Sequence, residues 1–305
     1  MNPEQIALKL WQRLWQDYRC RVEYARLYEQ MIQEAGGIVV NDHIAFRSLR
    51  LVVKDSAGKT NLGIPYIARI AIALGYEVAG EYEFPDCHLY AHHYRHPAQD
   101  RFDLPKLFIS ELIVDELPAS VATQIAQTVS LGRYLNLQTN KREIAQKDPV
   151  EQAVDRLQTA FIRPWDPPKR SVVEAVNAIS QYGAWVLLHG YAPNHFTGYV
   201  NRQQTPDYPD IETTARGLAE LGVPMKTMIE GRRGSGLWQT ATQAATEKVW
   251  VRDDISNTLI QIPWPYAYYE IAERNWVEMP GEPKVWFDGF LSPQARNLFE
   301  MTRQL

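Results

Sequence analysis

Apolar residues recur at Ile6, Leu8, Leu10, Leu14, Tyr18, Val22, Tyr24, Leu27 and Met31, close to a 3.6-residue period, and Gly36–Gly37 stop the run. The pattern predicts one N-terminal helix over 3–36. A β-rich stretch follows from Ile38 to Val53, in which NDHIAFRSLRL alternates as a half-buried strand does. Ile64–Leu74 reads as helix ended by Gly75, and Tyr76–Phe84, Cys87–Tyr94 and Leu107–Val114 read as strands. The order is β-α-β-β-β. From about Pro118 to Tyr182 the pattern is mostly helical, with the proline-rich patch RPWDPPKR (Arg163–Arg170) interrupting it. Strand-like character returns over Ala184–Val200. A helix follows at Ile211–Leu221, ended by Gly222, and then strands at Met225–Glu230, Leu237–Thr242, Lys248–Val251 and Ile260–Ala272. A short helix from about Ser292 closes the chain.

The two β-α-β-β-β stretches overlay. Asp42-His43-Ile44 opens the first and Asn194-His195-Phe196 the second; ALGYEV and ELGVPM close the two helices. A glutamate lies in the last strand of each: Glu111 is 68 residues after His43, and Glu270 is 75 after His195. Divergent repeats of this kind mean one folding unit used twice. The expected fold is α+β. Two βαβββ modules (37–117 and 183–280) form a half-open barrel, with the N-terminal helix, a helical linker (118–182) and a C-terminal segment (281–305), all in a single domain over 1–305.

Composition narrows the class. Of 305 residues, 45% are hydrophobic and 22% charged, an ordinary globular balance that excludes disorder and collagen-like repeats. The net charge of −4 argues against a nucleic-acid partner. Cys20 and Cys87 are too few for a disulfide framework or a Cys₄ zinc site. No apolar run approaches the ~20 residues of a membrane span, and the first residues lack a signal peptide's apolar centre. A cytoplasmic protein is expected; the oligomeric state is left open.

Seven histidines then carry most of the chemistry. Two packed modules direct inward side chains into one cleft, where two imidazoles and one carboxylate make the facial triad suited to non-haem Fe(II). The open coordination positions suit O₂ and a bidentate 2-oxo acid. The first-choice ligands are His43, His195 and Glu270. Each has a competing reading: His43 as a strand histidine bonded to Asp42 or backbone, Glu270 as the partner of Arg47 or Arg274. His189 competes with His195, because Pro193 breaks the parity argument between them, and Glu111 competes with Glu270. An acid inside an apolar strand is costly unless paired or metal-bound. Arg47 is four residues beyond His43, on the same strand face and roughly 13 Å away, where its guanidinium could fork a substrate carboxylate. The cluster His88, His92, His93, His96 reads as a solvated strand end. WPYAYYE (Trp264–Glu270) reads as core or pocket wall, and GRRGSG (Gly231–Gly236) as a turn rather than a phosphate loop. Gln239 and Thr240 could hydrogen-bond the ligands.

Together DHIAFRSL (Asp42–Leu49), FISEL (Phe108–Leu112), HGYAPNHFT (His189–Thr197), LWQTAT (Leu237–Thr242) and YYEIAER (Tyr268–Arg274) resemble the family once called domain of unknown function 1338, now known for 2-oxoadipate dioxygenase/decarboxylase, or 2-hydroxyglutarate synthase. The resemblance runs over nearly the whole chain. It implies a vicinal-oxygen-chelate type of fold and an Fe(II) enzyme that uses O₂. It also implies decarboxylation and hydroxylation of 2-oxoadipate to (R)-2-hydroxyglutarate and CO₂ in lysine degradation. The family's metal ligands fall on His43, His195 and Glu270, and its substrate-gripping arginine on Arg47. Longer family members carry extra segments before the C-terminus, and the C-terminal substrate contact is expected near Phe287–Phe290. Two other expectations compete with this one: a non-oxidative isomerase or hydrolase using Zn²⁺ or Mn²⁺, and a metal-free ligand-binding protein.

Overall fold

A computed structural model describes residues 3–55, 58–135, 149–231, 236–278 and 283–290. The N-terminal amphipathic stretch is two helices, α1 (Pro3–Arg21) and α2 (Glu23–Glu34), broken at Val22, which is extended and fully buried. The apolar stripe runs through the break without a phase shift, which is why periodicity alone predicts one helix. Buried Ile6, Leu10, Trp11, Leu14 and Tyr18 on α1, then Ala25, Tyr28 and Ile32 on α2, face one core.

Seven strands, β1 (Asn41–Arg50), β4 (Glu77–Phe84), β5 (Leu89–Arg95), β6 (Lys106–Ile113), β7 (Pro193–Tyr199), β8 (Leu237–Ala241) and β11 (Glu270–Arg274), form the main sheet in the order β4-β5-β6-β1-β7-β11-β8, which curls into a half-barrel. β2 (Val52–Asp55) and β3 (Gly58–Asn61) pair as a separate hairpin. The order of the main sheet exposes the repeat. β1 runs parallel to β6 and β7 parallel to β11, while β5–β6 and β8–β11 are antiparallel. The halves join where β1 and β7 pair antiparallel. In the second half the counterpart of β4 is the segment 225–230, which forms no regular ladder with β8 and its end but isolated bridges at Met225↔Thr242 and Glu230↔Gln239. The hairpin of β9 (Ala245–Arg252) and β10 (Leu259–Ala267) is an excursion outside the main sheet.

One expectation is corrected here. Ala184–Leu188 is not strand but part of a helix, Gln181–His189, capped by the Ser180 side chain at Gly183 N. Every residue from Tyr182 to His189 is buried, so the run carries no polar face and no visible period. Gly190 ends it at φ 64°, where a Cβ would lie 2.3 Å from the Arg163 backbone. Strand begins only at Pro193.

Register decides which side chains meet. On β1, His43, Ala45 and Arg47 share one face, while Phe46 on the other packs against Trp11 and Phe161. Glu111 pairs with Ser48 and so lies on that second face. There its Oε2 accepts from the Ile64 backbone N–H at 2.8 Å, capping α3 (Ile64–Ala73), and its Oε1 accepts from Arg50 Nε at 2.5 Å. The fit is tight at Gly63: a Cβ there would lie 2.1 Å from Glu111 Oε2, so a larger residue would push the capping carboxylate aside. The similar His-to-Glu spacings of the two halves therefore conceal different registers. Glu111 is a cap, and is corrected as a rival ligand. Glu111→Ala is expected to cost about 1–2 kcal/mol in urea denaturation while leaving Co(II) titration unchanged; lost metal binding would return Glu111 to the candidate ligands.

Candidate metal centre

His43, His195 and Glu270 converge, with one donor atom from each within 4.8 Å of the others. All three are at least 95% buried. Their strands bring them together across the seam: His43 pairs with Thr197, Ala45 with His195, and Glu270 with Thr197. His43 Nε2 lies 3.3 Å from His195 Nε2 and 3.4 Å from Glu270 Oε1. Thr197 Oγ1 sits between them, 3.1 Å from His43 Nε2 and donating to Glu270 Oε1 at 3.1 Å.

Two bulges, one in each strand, flank this pairing. Asp42 is the extra residue on β1 and Asn194 the extra residue on β7. Each bulged side chain turns to the histidine that follows it: Asp42 Oδ2 is 2.8 Å from His43 Nδ1, and Asn194 Oδ1 is 3.2 Å from His195 Nδ1. With Nδ1 so engaged, both rings direct Nε2 inward, the orientation a metal ligand needs. The reading of His43 as a histidine bonded to Asp42 and its reading as a candidate ligand are both satisfied by one geometry.

Electrostatics fit a cation. Burial lowers His195 well below its ordinary value, with His43 and Arg47 adding to the effect, and burial lowers His43 against the pull of Asp42. Neutral imidazole is the ligating form. Burial raises Glu270 to about 8 despite the Thr197 hydrogen bond, and its Oε2 has no hydrogen-bond partner. A buried carboxylate oxygen with nothing to accept from is expensive, and a divalent ion among these three donors removes that cost. Two nitrogens and one carboxylate are the donor set that, with open positions, suits Fe(II).

Arginine does not neutralise Glu270. Arg274, fully buried, gives Nε and Nη2 to the two oxygens of Asp42 at 2.6 and 2.8 Å. Burial pushes the Asp42 carboxyl up, but Arg274 and Lys106 overcome this and hold it well below the usual range. Arg47 lies on the His43 face, its guanidinium 4.9 Å from the Tyr182 ring centre and 5.1 Å from that of Trp185. Tyr268 of the aromatic segment stacks on His195 at 4.7 Å. Phe290, within the expected C-terminal contact region, stands edge-on to His43 at 4.8 Å.

Other candidates fall elsewhere. His189 ends its helix with Nδ1 3.3 Å from Glu247 Oε1 and its ring against Trp185 and Tyr266, outside the convergent trio. Thr240 donates to Met228 O, on the opposite face of β8 from the site; Gln239 shares the Glu270 face through its pair Ala272. His88 pairs with Glu116 and His92 lies between Tyr90 and Tyr94, as a strand end would have it. His93 corrects that reading. It is buried, bonded to Tyr82 Oη at 2.9 Å, packed on Phe290 at 5.2 Å, and lowered to about 4 by burial and then by Arg274. Its opposite parity to His88 and His92 was the available signal. His96 departs from the strand-end reading too: it is buried, with Nε2 against Leu74 O and Nδ1 accepting from the Ala98 backbone N–H. Of GRRGSG, residues 232–235 lie outside the described residues, as does the expected C-terminal helix.

The curled half-barrel sheet has a glyoxalase-like fold, and it carries a buried His–His–Glu cluster that could hold a metal ion. The sequence model of the 2-oxoadipate dioxygenase/decarboxylase family matches residues 16–300, and the chain belongs to that family. It is 27% identical over 281 residues to the chloroplastic 2-oxoadipate dioxygenase/decarboxylase of Arabidopsis thaliana, covering 86% of this chain and 68% of the relative. It superposes on the Oryza sativa hydroxyglutarate synthase in complex with 2-oxoadipate at TM-score 0.76 and 22% identity, covering 99% and 93% of the two chains. A Ralstonia eutropha protein named for the glyoxalase superfamily gives TM-score 0.77 at 22% identity, covering 88% and 83%.

Two outcomes follow from the geometry. Glu270→Gln preserves shape and removes charge; it is expected to weaken divalent-metal binding at least about tenfold by calorimetry, while the metal-free protein melts no lower than wild type, because the desolvated carboxyl is gone. A drop in the metal-free melting temperature would contradict the account of Glu270. Away from the site, burial would raise Glu247, but hydrogen bonds from His189 and Arg21 bring it from 4.5 down to about 2. Its contribution is fully present above 4.5 and fades as pH falls toward 2. Glu247→Gln should therefore cost roughly 1–3 kcal/mol at neutral pH and flatten the acid limb of a urea-denaturation series between those pH values. An unchanged limb would contradict it.

Proposed function

We propose that this chain is an Fe(II)-dependent dioxygenase that converts a 2-oxo dicarboxylate, 2-oxoadipate first among them, with O₂ to (R)-2-hydroxyglutarate and CO₂. The observation that carries the reading is the buried convergence of His43, His195 and Glu270 with Glu270 Oε2 left unpartnered. The family membership and the names of the relatives support the substrate class. The atoms balance: the bond between the keto carbon and its carboxylate breaks, CO₂ leaves with the two oxygens of that carboxylate, and the two oxygens of O₂ go one to the new carboxylate at the former keto carbon and one to the hydroxyl.

Fe(II) bound by the three side chains would supply a Lewis acid and template for the substrate and the one-electron chemistry that O₂ requires. The protein's own groups do the rest. Asp42 and Asn194 hold the two imidazoles by Nδ1, so no rotamer search precedes ligation. Thr197 holds Glu270 through Oε1, and the carboxylate so fixed would be the third ligand of the ion. Arg47 takes the distal carboxylate: an arginine side chain and a six-carbon diacid together span the roughly 13 Å between its Cα and that of His43. Tyr268 and Phe290, packed on the two imidazoles, keep bulk water from the reacting carbons. The single-domain organisation over 1–305, and a role in lysine degradation, belong to the same proposal. So does a cytoplasmic setting, supported by a chain whose two cysteines are too few for a disulfide framework. Among the described residues no helix is long and apolar enough to cross a membrane.

An oxygen electrode tests the proposal. Fe(II)-loaded protein should consume O₂ on addition of 2-oxoadipate, with stoichiometric CO₂ and 2-hydroxyglutarate; turnover of a 2-oxo acid without O₂ uptake would replace it with non-oxidative chemistry. Arg47→Ala is expected to raise KM for dicarboxylates at least about tenfold more than for monocarboxylic 2-oxo acids. Equal effects on both would remove Arg47 from substrate recognition.

A further inference from the structure

We infer that Asp42 and Arg274 couple metal loading to the seating of the C-terminal strap, residues 283–290, so that each favours the other; the inference rests on the metal reading of His43, His195 and Glu270. A continuous chain of contacts links them. Asp42 holds His43 by Nδ1, and Arg274 holds both oxygens of Asp42. The remaining terminal nitrogen of Arg274, Nη1, donates to strap carbonyls, Gly289 O at 2.8 Å and Phe287 O at 3.3 Å. One guanidinium thus serves the metal-facing histidine and the strap together. The strap then returns to the same histidine, because Phe290 lies edge-on to the His43 ring, with the Arg274 guanidinium 5.3 Å from the Phe290 ring centre.

The strap has its own anchor, separate from this chain. Asp288 accepts from Lys106 Nζ at 2.7 Å and from Arg95 Nε at 3.1 Å. Lys106 is buried and pairs in register with His43 across β1–β6. Loosening Asp288 therefore loosens the strap without altering a metal donor, Asp42 or Arg274. With the strap away, Arg274 loses two acceptors and water reaches Asp42, and His43 loses the ring that fixes its face. The imidazole must then be reordered when metal binds, and this lowers affinity. By linkage, metal that fixes His43 and tightens the Asp42–Arg274 chain holds the strap down by the same factor.

The test uses the full chain and Co(II), which reports ligation by its visible spectrum. Co(II) is titrated into wild type and Asp288→Asn, and hydrogen exchange of amides in 283–290 is followed with and without the metal. We expect Co(II) to slow strap exchange in wild type. We expect Asp288→Asn to speed that exchange and weaken Co(II) binding at least about fivefold. Asp42→Asn should weaken binding and leave strap exchange insensitive to Co(II), a loss of coupling that simple destabilisation would not produce. Wild-type strap exchange unmoved by Co(II), or a loosened strap in Asp288→Asn with unchanged Co(II) affinity, overturns the inference and leaves the metal reading intact. A wild-type Co(II) spectrum that is absent, or that survives Glu270→Gln unchanged, overturns the metal reading and this inference with it.

Discussion

The structure depends on an acid held where water does not reach. Glu270 is fully buried, one of its oxygens has no hydrogen-bond partner, and its nearest polar neighbours are two neutral imidazoles and a threonine hydroxyl. Nothing in such a setting stabilises a carboxylate as well as a cation would. The rest of the centre is organised around that need. The arginine within reach is occupied by Asp42, and the imidazoles are aimed and uncharged. The aromatic rings of Tyr268 and Phe290 keep the surroundings apolar.

Much of this was visible in the amino-acid sequence, because both the repeat and the ligands ride on strands with strong local signatures. The β-α-β-β-β order, His43 and Arg47 on one strand face, and a late glutamate inside an apolar strand all follow from periodicity and the cost of burying charge. What escaped was tertiary. Gln181–His189 hides its helical character because it is buried all round. The break at Val22 leaves the apolar stripe in phase. Glu111 and Glu270 look equivalent by spacing, yet β1–β6 sets Glu111 opposite Ser48, whereas β7–β11 sets Glu270 opposite Thr197. Only pairing register, which no single strand encodes, separates a helix cap from a candidate ligand.

The same limit explains His93. Its parity was readable, but its burial comes from Phe290, a residue almost two hundred positions later that packs over both His93 and His43. Family membership strengthens the reading of the centre as a whole, while the surroundings of each side chain come from the packing of this chain.

The paired bulges at the seam have a consequence for how such a protein can change. Asp42 and Asn194 are each one residue too many for their ladder, and the two surpluses compensate across the four residues of β1 from Asp42 to Ala45. A strand normally sends neighbours to opposite faces; here the surplus lets an acid or amide and the histidine beside it cooperate. The seam is therefore tolerant of altered side chains and intolerant of altered count. A single deletion at either position would rotate one imidazole away from the other two donors, and only a matching deletion on the facing strand could restore the alignment. Descendants of this fold should accordingly diverge in spelling long before they diverge in length at these two places.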